Sequence, residues 1–230
     1  MYKRQSPARV KGVTVLVHDY IDSYENPRRA WSYSPATRRV RRAPDITYDT
    51  LVNASPLIVV DQYGTFNGAQ DKYNWELKGT KKMVVVGVSN ELGLSPLEDT
   101  HGVGHLNPDY LNYEEKEVAI VHATLKDGQR HLYASRTFYI TTDSYYIVAQ
   151  DIYDGQGNLM RNAINTLSTN IGGLGGDCSI NGEFTFDFAT RQFAGNNMLG
   201  NAINSVPAVY NGPSKDVSFY TPDGLRRYAR

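Results

Sequence analysis

A strict alternation of apolar and polar residues is the feature that most restricts the fold of this sequence. Phe184, Phe186 and Phe188 are each separated by one polar residue. Successive side chains of an extended strand point to opposite faces, so this spacing places the three rings on one face and the polar groups on the other. The pattern therefore predicts a half-buried β-strand.

Four runs rich in β-branched and aromatic residues precede this strand. They are Val118–Leu125, Leu132–Ile140, Tyr145–Ile152 and Leu159–Leu167. Short polar segments separate them, namely Lys126–Gln129, Thr141–Ser144 and Asp154–Asn158. Polar turns between β-runs are typical of consecutive hairpins, so the sequence predicts an antiparallel meander.

The first ninety residues contain further candidate strands. They are Val10–Tyr20, Trp31–Tyr33, Arg38–Arg42, Leu57–Val60, Trp75–Lys78 and Lys81–Val88. Gly79-Thr80 separates the last two segments and is the kind of dipeptide that turns a hairpin. We therefore expect strand to follow strand through most of the chain.

Helix and loop signals are few. A proline at the first helical position predicts short helices at Asn107–Asp109 and Thr221–Asp223. Ser95 and Glu98 have the spacing of a capping box. The glycine-rich segment Gly172–Gly176 and the Asn-, Gly- and Pro-rich segment Asn196–Pro213 predict loops.

Composition excludes several classes of protein. The chain has 230 residues, a length that all-β folds often reach as one unit, so we expect a single domain spanning residues 1–230. Lys plus Arg number 24 and Asp plus Glu also number 24, which argues against a nucleic-acid partner. The apolar runs are too short for a membrane helix, and Met1–Lys11 is too polar for a signal-peptide core. We therefore expect any export signal to lie outside this chain.

Catalytic and metal-binding signals are weak. His101 and His105 have the spacing of a metal pair, but flanking glycines and the lack of an evident third ligand favour a histidine-bearing loop. Cys178 is the sole cysteine and forms no internal disulfide. We find no nucleophile elbow, phosphate loop or dinucleotide motif, so the sequence predicts no enzyme activity, no cofactor and no metal site.

A basic segment from Arg28 to Pro44 stands out instead. Trp31 and Tyr33 share one face of a strand, while a turn leads into a second strand in which Arg39 and Arg41 share a face opposite to Arg42. Such a hairpin binds phosphate-bearing headgroups or nucleic acid, or it is a solvated face that pairs with the acidic middle of the chain. We expect at least one arginine to pair with a carboxylate of this chain.

Several motifs resemble the bacterial family of unknown function numbered 1329. They are Trp31–Pro35, Arg38–Pro44, Phe66–Ala69, Tyr73–Gly79, Ala123–Gly128 and Arg136–Ile140. Members of this family resemble periplasmic lipoprotein carriers of the LolA and LolB type. The resemblance implies a mainly β fold, with a strongly curved antiparallel sheet or open half-barrel around a hydrophobic cavity and a few short helices. It also implies that this chain is the C-terminal portion of a longer exported protein.

The resemblance further implies a periplasmic, outer-membrane-associated carrier or binding protein for a lipid or other hydrophobic ligand, serving an efflux-type exporter. On this hypothesis the ligand-binding residues are Trp31, Tyr33, Arg39, Arg41, Phe66 and Trp75. We expect the four aromatic residues among them to line the concave face of the sheet. The alternative is a non-catalytic interaction or scaffold module of the cell envelope. An empty apolar cavity supports the carrier, whereas a closed, packed interior supports the scaffold.

Overall fold

The computed structural model describes residues 2–3, 11–43, 48–51, 56–169, 178–196 and 213–229. Two compact units divide the chain: unit 1 contains residues 1–47, 69–71 and 209–230, and unit 2 contains residues 48–68 and 72–208. The predicted loop Gly172–Gly176 and nearly all of the predicted loop Asn196–Pro213 lie outside the described residues. A single domain over residues 1–230 stays a prediction.

Unit 1 contains a four-stranded antiparallel sheet. Its strands are β1 (Tyr2–Lys3), β2 (Thr14–His18), β3 (Arg29–Ser34) and β4 (Arg39–Arg42), in that order across the sheet. Trp31 lies opposite Arg42, and Tyr33 lies opposite Val40. The predicted hairpin between β3 and β4 is confirmed, and Arg38 in its turn has a left-handed backbone, with φ of 53°.

A C-terminal helix, α3 (Pro222–Ala229), packs on one face of this sheet. Its start is the predicted one, because Thr221 Oγ1 accepts a hydrogen bond from Gly224 N at 3.0 Å. Leu225 and Ala229 of the helix form a buried cluster with Leu16 and Tyr33 of the sheet. A 3₁₀ helix, Val217–Tyr220, precedes α3.

Unit 2 contains a seven-stranded antiparallel meander, in which each strand pairs with the next along the chain. The strands are β5 (Tyr73–Val86), β6 (Tyr113–Leu125), β7 (Ser135–Thr141), β8 (Ile147–Tyr153), β9 (Leu159–Thr169), β10 (Cys178–Asp187) and β11 (Gln192–Asn196). The described residues contain five further helical segments, all of them short. They are the helices α1 (Asn90–Leu94) and α2 (Leu97–Thr100) and the 3₁₀ helices Val60–Gln62, Gln70–Lys72 and Pro108–Tyr110. The predicted hairpins that join β6, β7, β8 and β9 and the mainly β, antiparallel class are confirmed.

The meander is open and curved. Its edge strands β5 and β11 do not pair with each other in the part of the chain that the structure describes. The segment that follows β5 nevertheless reaches β9, because Ser89 N donates to Leu167 O at 2.7 Å and Val88 forms a parallel bridge with Leu167. Since β9 lies four places from β5 in strand order, the sheet must bend strongly to bring these segments together.

Gly79 forms a β-bulge, and the predicted hairpin at Gly79-Thr80 is wrong. β5 runs without a break through this position, but Leu77 pairs with Val121 and Gly79 pairs with Ile120, so Lys78 is an extra residue. Gly79 has φ of 115°, a backbone conformation that residues with a Cβ rarely adopt. Glycine often indicates a turn in a sequence, but Gly79 shifts the register of a continuous strand instead.

Two other local predictions are wrong. Leu57–Val60 is not a strand, because the chain turns at Leu57 and enters the 3₁₀ helix Val60–Gln62. The capping box of Ser95 and Glu98 does not form, since Ser95 ends α1 and Pro96 precedes α2 without a side-chain cap. The short helix expected at Asn107 is confirmed as a 3₁₀ helix, in which Asn107 Oδ1 accepts a hydrogen bond from Asp109 N at 3.2 Å.

One face of the unit 2 sheet, here called the second face, carries an ordinary apolar core. Phe184 packs there with Leu92 of α1 and with Leu106, and Phe186 and Phe193 border the cluster. Elsewhere on this face Val85, Val118 and Val148 form another cluster, with Met83 and Tyr139 beside it. No helix among the described residues is long and apolar enough to cross a membrane.

Candidate functional site

The opposite face of the unit 2 sheet, here called the first face, is divided into two halves of different chemistry. Cross-strand register places one set of polar side chains together on it: Arg136, Gln150, Arg161, Asn165, Glu183, Thr185 and Asp187. All of these are buried. Residues 56–68, here called the covering segment, lie over this polar half and bond to it.

The other half, here called the apolar patch, is only partly covered. It consists of Phe66, Trp75, Leu77, Val121, Phe138, Ile140 and Ile147. Trp75 is 40% exposed and Leu77, which pairs with Val121 across the strands, is 66% exposed. Phe66 closes one side of the patch, with its ring centroid 5.3 Å from Trp75 and 5.5 Å from Phe138. Half-exposed aromatic and aliphatic groups on one rigid sheet face are suited to binding an apolar ligand.

A buried ion pair fixes the middle of the covering segment. Arg136 Nη2 donates to Asp61 Oδ2 at 2.5 Å, and both side chains are at most 1% exposed. His131 Nδ1 accepts a hydrogen bond from Tyr133 N at 2.9 Å, so the proton of a neutral ring lies on Nε2 and points to Asp61 Oδ2, 3.1 Å away. Burial acts to raise the pKa of Asp61, but the Arg136 guanidinium and His131 outweigh it and hold the pKa below its usual value.

Aromatic rings surround the Arg136 guanidinium. Its Cζ lies 4.8 Å from the ring centroid of Tyr133 and 5.5 Å from those of Phe66 and Tyr73. Tyr73 Oη also accepts a hydrogen bond from Arg136 Nη2 at 3.0 Å, and burial raises the Tyr73 pKa to about 12. These rings favour a desolvated cation by their quadrupoles. Arg136 therefore lies at the boundary between the polar half and the apolar patch.

A second ion pair holds the start of the covering segment. Arg161 Nε donates to Asp187 Oδ2 at 2.9 Å, while Arg161 Nη1 donates to Leu57 O at 2.9 Å and to Tyr133 Oη at 3.1 Å. Tyr133 Oη in turn donates to Gln62 Oε1 at 2.9 Å. The Tyr133 hydroxyl thus links Arg161 on the sheet to Gln62 in the covering segment.

Glu183 holds the end of the covering segment. Its Oε2 accepts a hydrogen bond from Gly64 N at 3.1 Å, and its Oε1 has no hydrogen-bond partner among the described residues. Burial raises the pKa of Glu183 to about 8, more than the neighbouring backbone hydrogen bonds lower it, so the carboxyl is largely protonated at neutral pH.

The strained backbone of Thr65 shows that contacts with the sheet fix the position of this part of the covering segment. It has φ of 75°, an unfavourable conformation for a β-branched residue. Gln150 Nε2 donates to Thr65 O at 3.1 Å, and Asn165 Nδ2 contacts Thr65 Oγ1. A strained backbone conformation persists only where the surrounding contacts fix it. The covering segment therefore occupies one well-defined position on the sheet.

The residues predicted as a ligand site do not all lie in one unit. Phe66 and Trp75 meet in the apolar patch of unit 2. Trp31 and Tyr33 lie in the sheet of unit 1, where Tyr33 is part of the buried core and Trp31 is partly buried beside it. Arg39 and Arg41 pair with Ser34 and Ser32 and therefore lie on the sheet face opposite to Trp31 and Tyr33. A ligand role for these residues stays a prediction.

The expected pairing of the basic hairpin with a carboxylate is not found among the described residues and stays a prediction for the rest of the chain. Arg38, Arg39, Arg41 and Arg42 form no ion pair with a carboxylate there. Glu115 of the acidic middle of the chain instead pairs with Lys82 at 3.0 Å, and Glu114 pairs with Lys116 at 3.4 Å.

The two glycine-flanked histidines have structural contacts. His101 stacks on Phe193, with ring centroids 5.6 Å apart, and burial lowers its pKa. His105 Nδ1 lies 2.7 Å from Leu106 O. No three His, Cys, Asp or Glu side chains gather as a metal-ligand set in the described part of the chain.

The polar half of the first face escaped the sequence reasoning. Alternation correctly places Glu183, Thr185 and Asp187 opposite the phenylalanines, but this second set is buried too. One usable signal was present, because Asp61 directly follows the apolar run Leu57–Val60. A charged residue inside an apolar run favours a buried ion pair, and the strand residues Arg136 and Arg161 were available partners.

Comparison with known proteins identifies the family. The model for "Protein of unknown function (DUF1329)" matches residues 1–226. This chain belongs to the DUF1329 family. The sequence of this DUF1329 chain is 40% identical over 159 residues to the uncharacterized protein PA3922 of Pseudomonas aeruginosa. The match covers 68% of the chain but only 35% of that relative.

Solved structures show that the DUF1329 chain shares its fold with known proteins. A provisionally assigned outer membrane lipoprotein-sorting protein domain from Vibrio parahaemolyticus aligns with a TM-score of 0.62 and 13% identity, over 97% of this chain and 75% of that one. A DUF1329 family protein from Desulfovibrio piger aligns with a TM-score of 0.57 and 16% identity, over 96% and 74% of the two chains. These likenesses confirm the predicted LolA-like fold.

Proposed function

We propose that this protein is a non-catalytic carrier or binding protein for a lipid or other hydrophobic ligand, and that the apolar patch of unit 2 is where the ligand binds. The observation that carries this proposal is the partial exposure of Trp75, Leu77 and their neighbours on a sheet face whose other half is fully covered. Exposed apolar patches of this kind mark binding sites for ligands or for other proteins.

The chemistry of the patch suits an acyl chain. Its side chains are aliphatic and aromatic, and burial of each methylene group of a ligand contributes about 0.8 kcal/mol. Stacking of the Trp75 and Phe138 rings, with centroids 5.9 Å apart, gives the patch a fixed floor. Binding by burial needs no nucleophile, base or metal, which is why the proposal includes no catalysis.

The proposed setting is the bacterial periplasm, with association to the outer membrane and to an efflux-type exporter. A fold shared with a lipoprotein-sorting domain supports this setting. The periplasm lies between two membranes, so hydrophobic cargo that moves from one membrane to the other must cross water.

One observation favours the alternative of a scaffold or interaction module. The polar half of the first face is closed by the covering segment, and its side chains are buried and bonded rather than arranged around a cavity. A packed interior of this kind needs no ligand. The two candidate functions therefore differ in what the apolar patch binds, a small amphiphile or a protein surface.

Resonance energy transfer to a dansyl-labelled fatty acid tests the carrier. The chain has two tryptophans, so the Trp31→Phe variant leaves Trp75 as the sole donor and reports ligand at the patch. We expect saturable sensitised dansyl emission from this variant. Leu77→Gln in the same background should weaken binding by about 10- to 150-fold, because it removes about 1.5–3 kcal/mol of apolar contact.

Leu94→Gln is the matched control. Leu94 lies in α1 and is 56% exposed, close to the exposure of Leu77, but it is not part of the patch. It should leave the affinity unchanged. Failure of the fatty acid to saturate, or equal losses in the two leucine variants, would exclude the patch as a lipid site and leave the scaffold.

A triple variant tests the absence of metal or thiol chemistry. Replacing His101 and His105 with alanine and Cys178 with serine should leave fatty-acid affinity within about twofold, because apolar burial uses none of these groups. Titration of the dansyl probe against this variant measures the effect. A collapse of binding with an intact fold would point to a metal or thiol site and against a carrier.

A further inference from the structure

We propose that unit 1 contains a second site, a cleft that binds a phosphate group through arginine side chains. The cleft lies between the β3–β4 hairpin and α3 and has a volume of about 430 Å³. Four arginines line it, Arg38, Arg39, Arg42 and Arg226, together with Trp31 and Asp223. A cleft of this volume is large enough for the headgroup of an amphiphile.

Charge is the first argument for an anionic ligand. Arginines contribute four of the residues that line the cleft, whereas Asp223 is the one acidic residue of its lining. Arg226 pairs with Asp223 at 2.8 Å, whereas Arg38, Arg39 and Arg42 form no ion pair with a carboxylate among the described residues. Like charges that converge in a concave site repel one another and concentrate anions from solution. Guanidinium groups match the geometry of phosphate oxygens, which accept two parallel N–H hydrogen bonds.

Rigidity is the second argument. Both walls of the cleft are anchored in the same core, in which Leu225 of α3 packs with Leu16 and Tyr33 of the sheet. Arg42 lies directly across from Trp31 in the β3–β4 ladder, so the register sets its position. The backbone positions from which the arginines extend are therefore set before any ligand arrives, which lowers the entropic cost of binding.

The backbone of Arg38 is the third argument. Its φ of 53° falls in the left-handed region, which favours glycine, at the end of the hairpin turn. Glycine would fit this turn with less strain, so the presence of an arginine there suggests that its side chain is needed. The first turn of α3 adds a partial positive charge at the same cleft.

Calorimetric titration with three probes tests the site: inorganic phosphate, dihexanoyl phosphatidylglycerol below its micellar concentration, and dihexanoyl phosphatidylcholine. We expect saturable binding of at least one of the first two probes, weakened by added salt. Binding of phosphatidylglycerol alone identifies a lipid headgroup as the source, and binding of both identifies the phosphate group itself. Absence of saturable binding of both overturns the proposal.

Paired variants locate the binding. Arg42→Gln and Arg226→Gln should each weaken binding of the phosphate probe by about tenfold, since each removes a charge-assisted hydrogen bond. Arg41→Gln is the matched control, because Arg41 belongs to the same strand but does not line the cleft. Equal losses for Arg41→Gln and Arg42→Gln would overturn the cleft as the binding site.

The Arg38→Gly variant separates a loss of phosphate binding from a loss of folding. Glycine suits φ of 53°, so this variant should melt at or above the temperature of the wild type while its phosphate affinity falls. An unchanged affinity in Arg38→Gly would overturn the role of Arg38. Quenching of Trp31 in a Trp75→Phe background reports this cleft without contribution from the apolar patch. Failure here and failure of the fatty-acid experiment are therefore separate results.

Discussion

The two halves of the first face of the unit 2 sheet reverse the usual distribution of side chains. In one half, charged residues such as Arg136, Glu183 and Asp187 are buried under the covering segment. In the other half, Trp75 and Leu77 lie partly in water. Burial of charge is costly unless it is paired, so the covering segment is specific to one position on the polar half. Only one side of the apolar patch is closed by this segment, through Phe66, and Trp75 and Leu77 stay partly exposed.

Removal of the central cation should have the largest effect on stability. Arg136→Met leaves Asp61 buried without its main partner, and we expect it to lower the free energy of unfolding by about 3–5 kcal/mol. Urea denaturation measures the change. Lys82→Met is the control, because Lys82 and Glu115 form an exposed pair that should be worth at most about 1 kcal/mol. Equal effects of the two variants would mean that the polar half does not hold the covering segment.

The pH dependence of stability should report Glu183. Its pKa in the folded state, about 8, is higher than the usual value of 4.5, so the folded protein retains a proton that the unfolded chain releases. Stability from this group is complete below pH 4.5 and is lost as pH rises toward 8, by at most about 1.4 kcal/mol per pH unit. Unfolding of Glu183→Gln and wild type between pH 5 and 9 tests this. The glutamine variant should lack this component, and parallel profiles would contradict the raised pKa.

A smaller loss should follow removal of the shared tyrosine hydroxyl. Tyr133→Phe leaves Gln62 Oε1 and one Arg161 hydrogen bond without a partner, and we expect it to cost about 1–3 kcal/mol. Denaturation by urea measures this change too. Tyr145→Phe serves as the comparison, because Tyr145 is 81% exposed and its change should be within about 0.5 kcal/mol. A neutral result at Tyr133 would show that the two ends of the network are independent.

The apolar patch should contribute least to stability. Leu77→Gln exchanges an exposed leucine for a polar residue, so we expect a change within about 0.5 kcal/mol in the free energy of unfolding. A thermal melt of the variant without ligand checks this. A loss of 2 kcal/mol or more would show that the patch is part of the core rather than a surface for a ligand.

The strands of the meander were predictable because their signal is local. β6 to β10 follow from β-branched runs and polar turns, and both the Asp154–Asn158 turn and the β3–β4 hairpin form as expected. The bulge at Gly79 was misread because glycine permits a turn and a bulge equally, and the choice depends on the partner strand β6. The pairing partner of a strand cannot be predicted from the strand's own few residues.

The candidate site was only partly predictable for a related reason. Aromatic character singled out Phe66 and Trp75, and they do meet in the patch. The burial of Glu183 and Asp187 follows from the covering segment, which comes some 120 residues earlier in the chain, as the contact of Gln62 with Thr185 shows. A strand with polar residues on one side looks half-exposed until the segment that covers it is known.

The extra residue Lys78 reverses which residues of β5 point to each face of the sheet. Before it, Trp75 and Leu77 belong to the apolar patch; after it, Met83 and Val85 face the core cluster of Val118 and Val148. Had the strand kept its phase, Met83 and Val85 would join the row of Trp75, and the core on the other side would lose them. A single-residue deletion in this strand would therefore exchange side chains of the apolar patch for side chains of the core, which a substitution at either end of β5 cannot do.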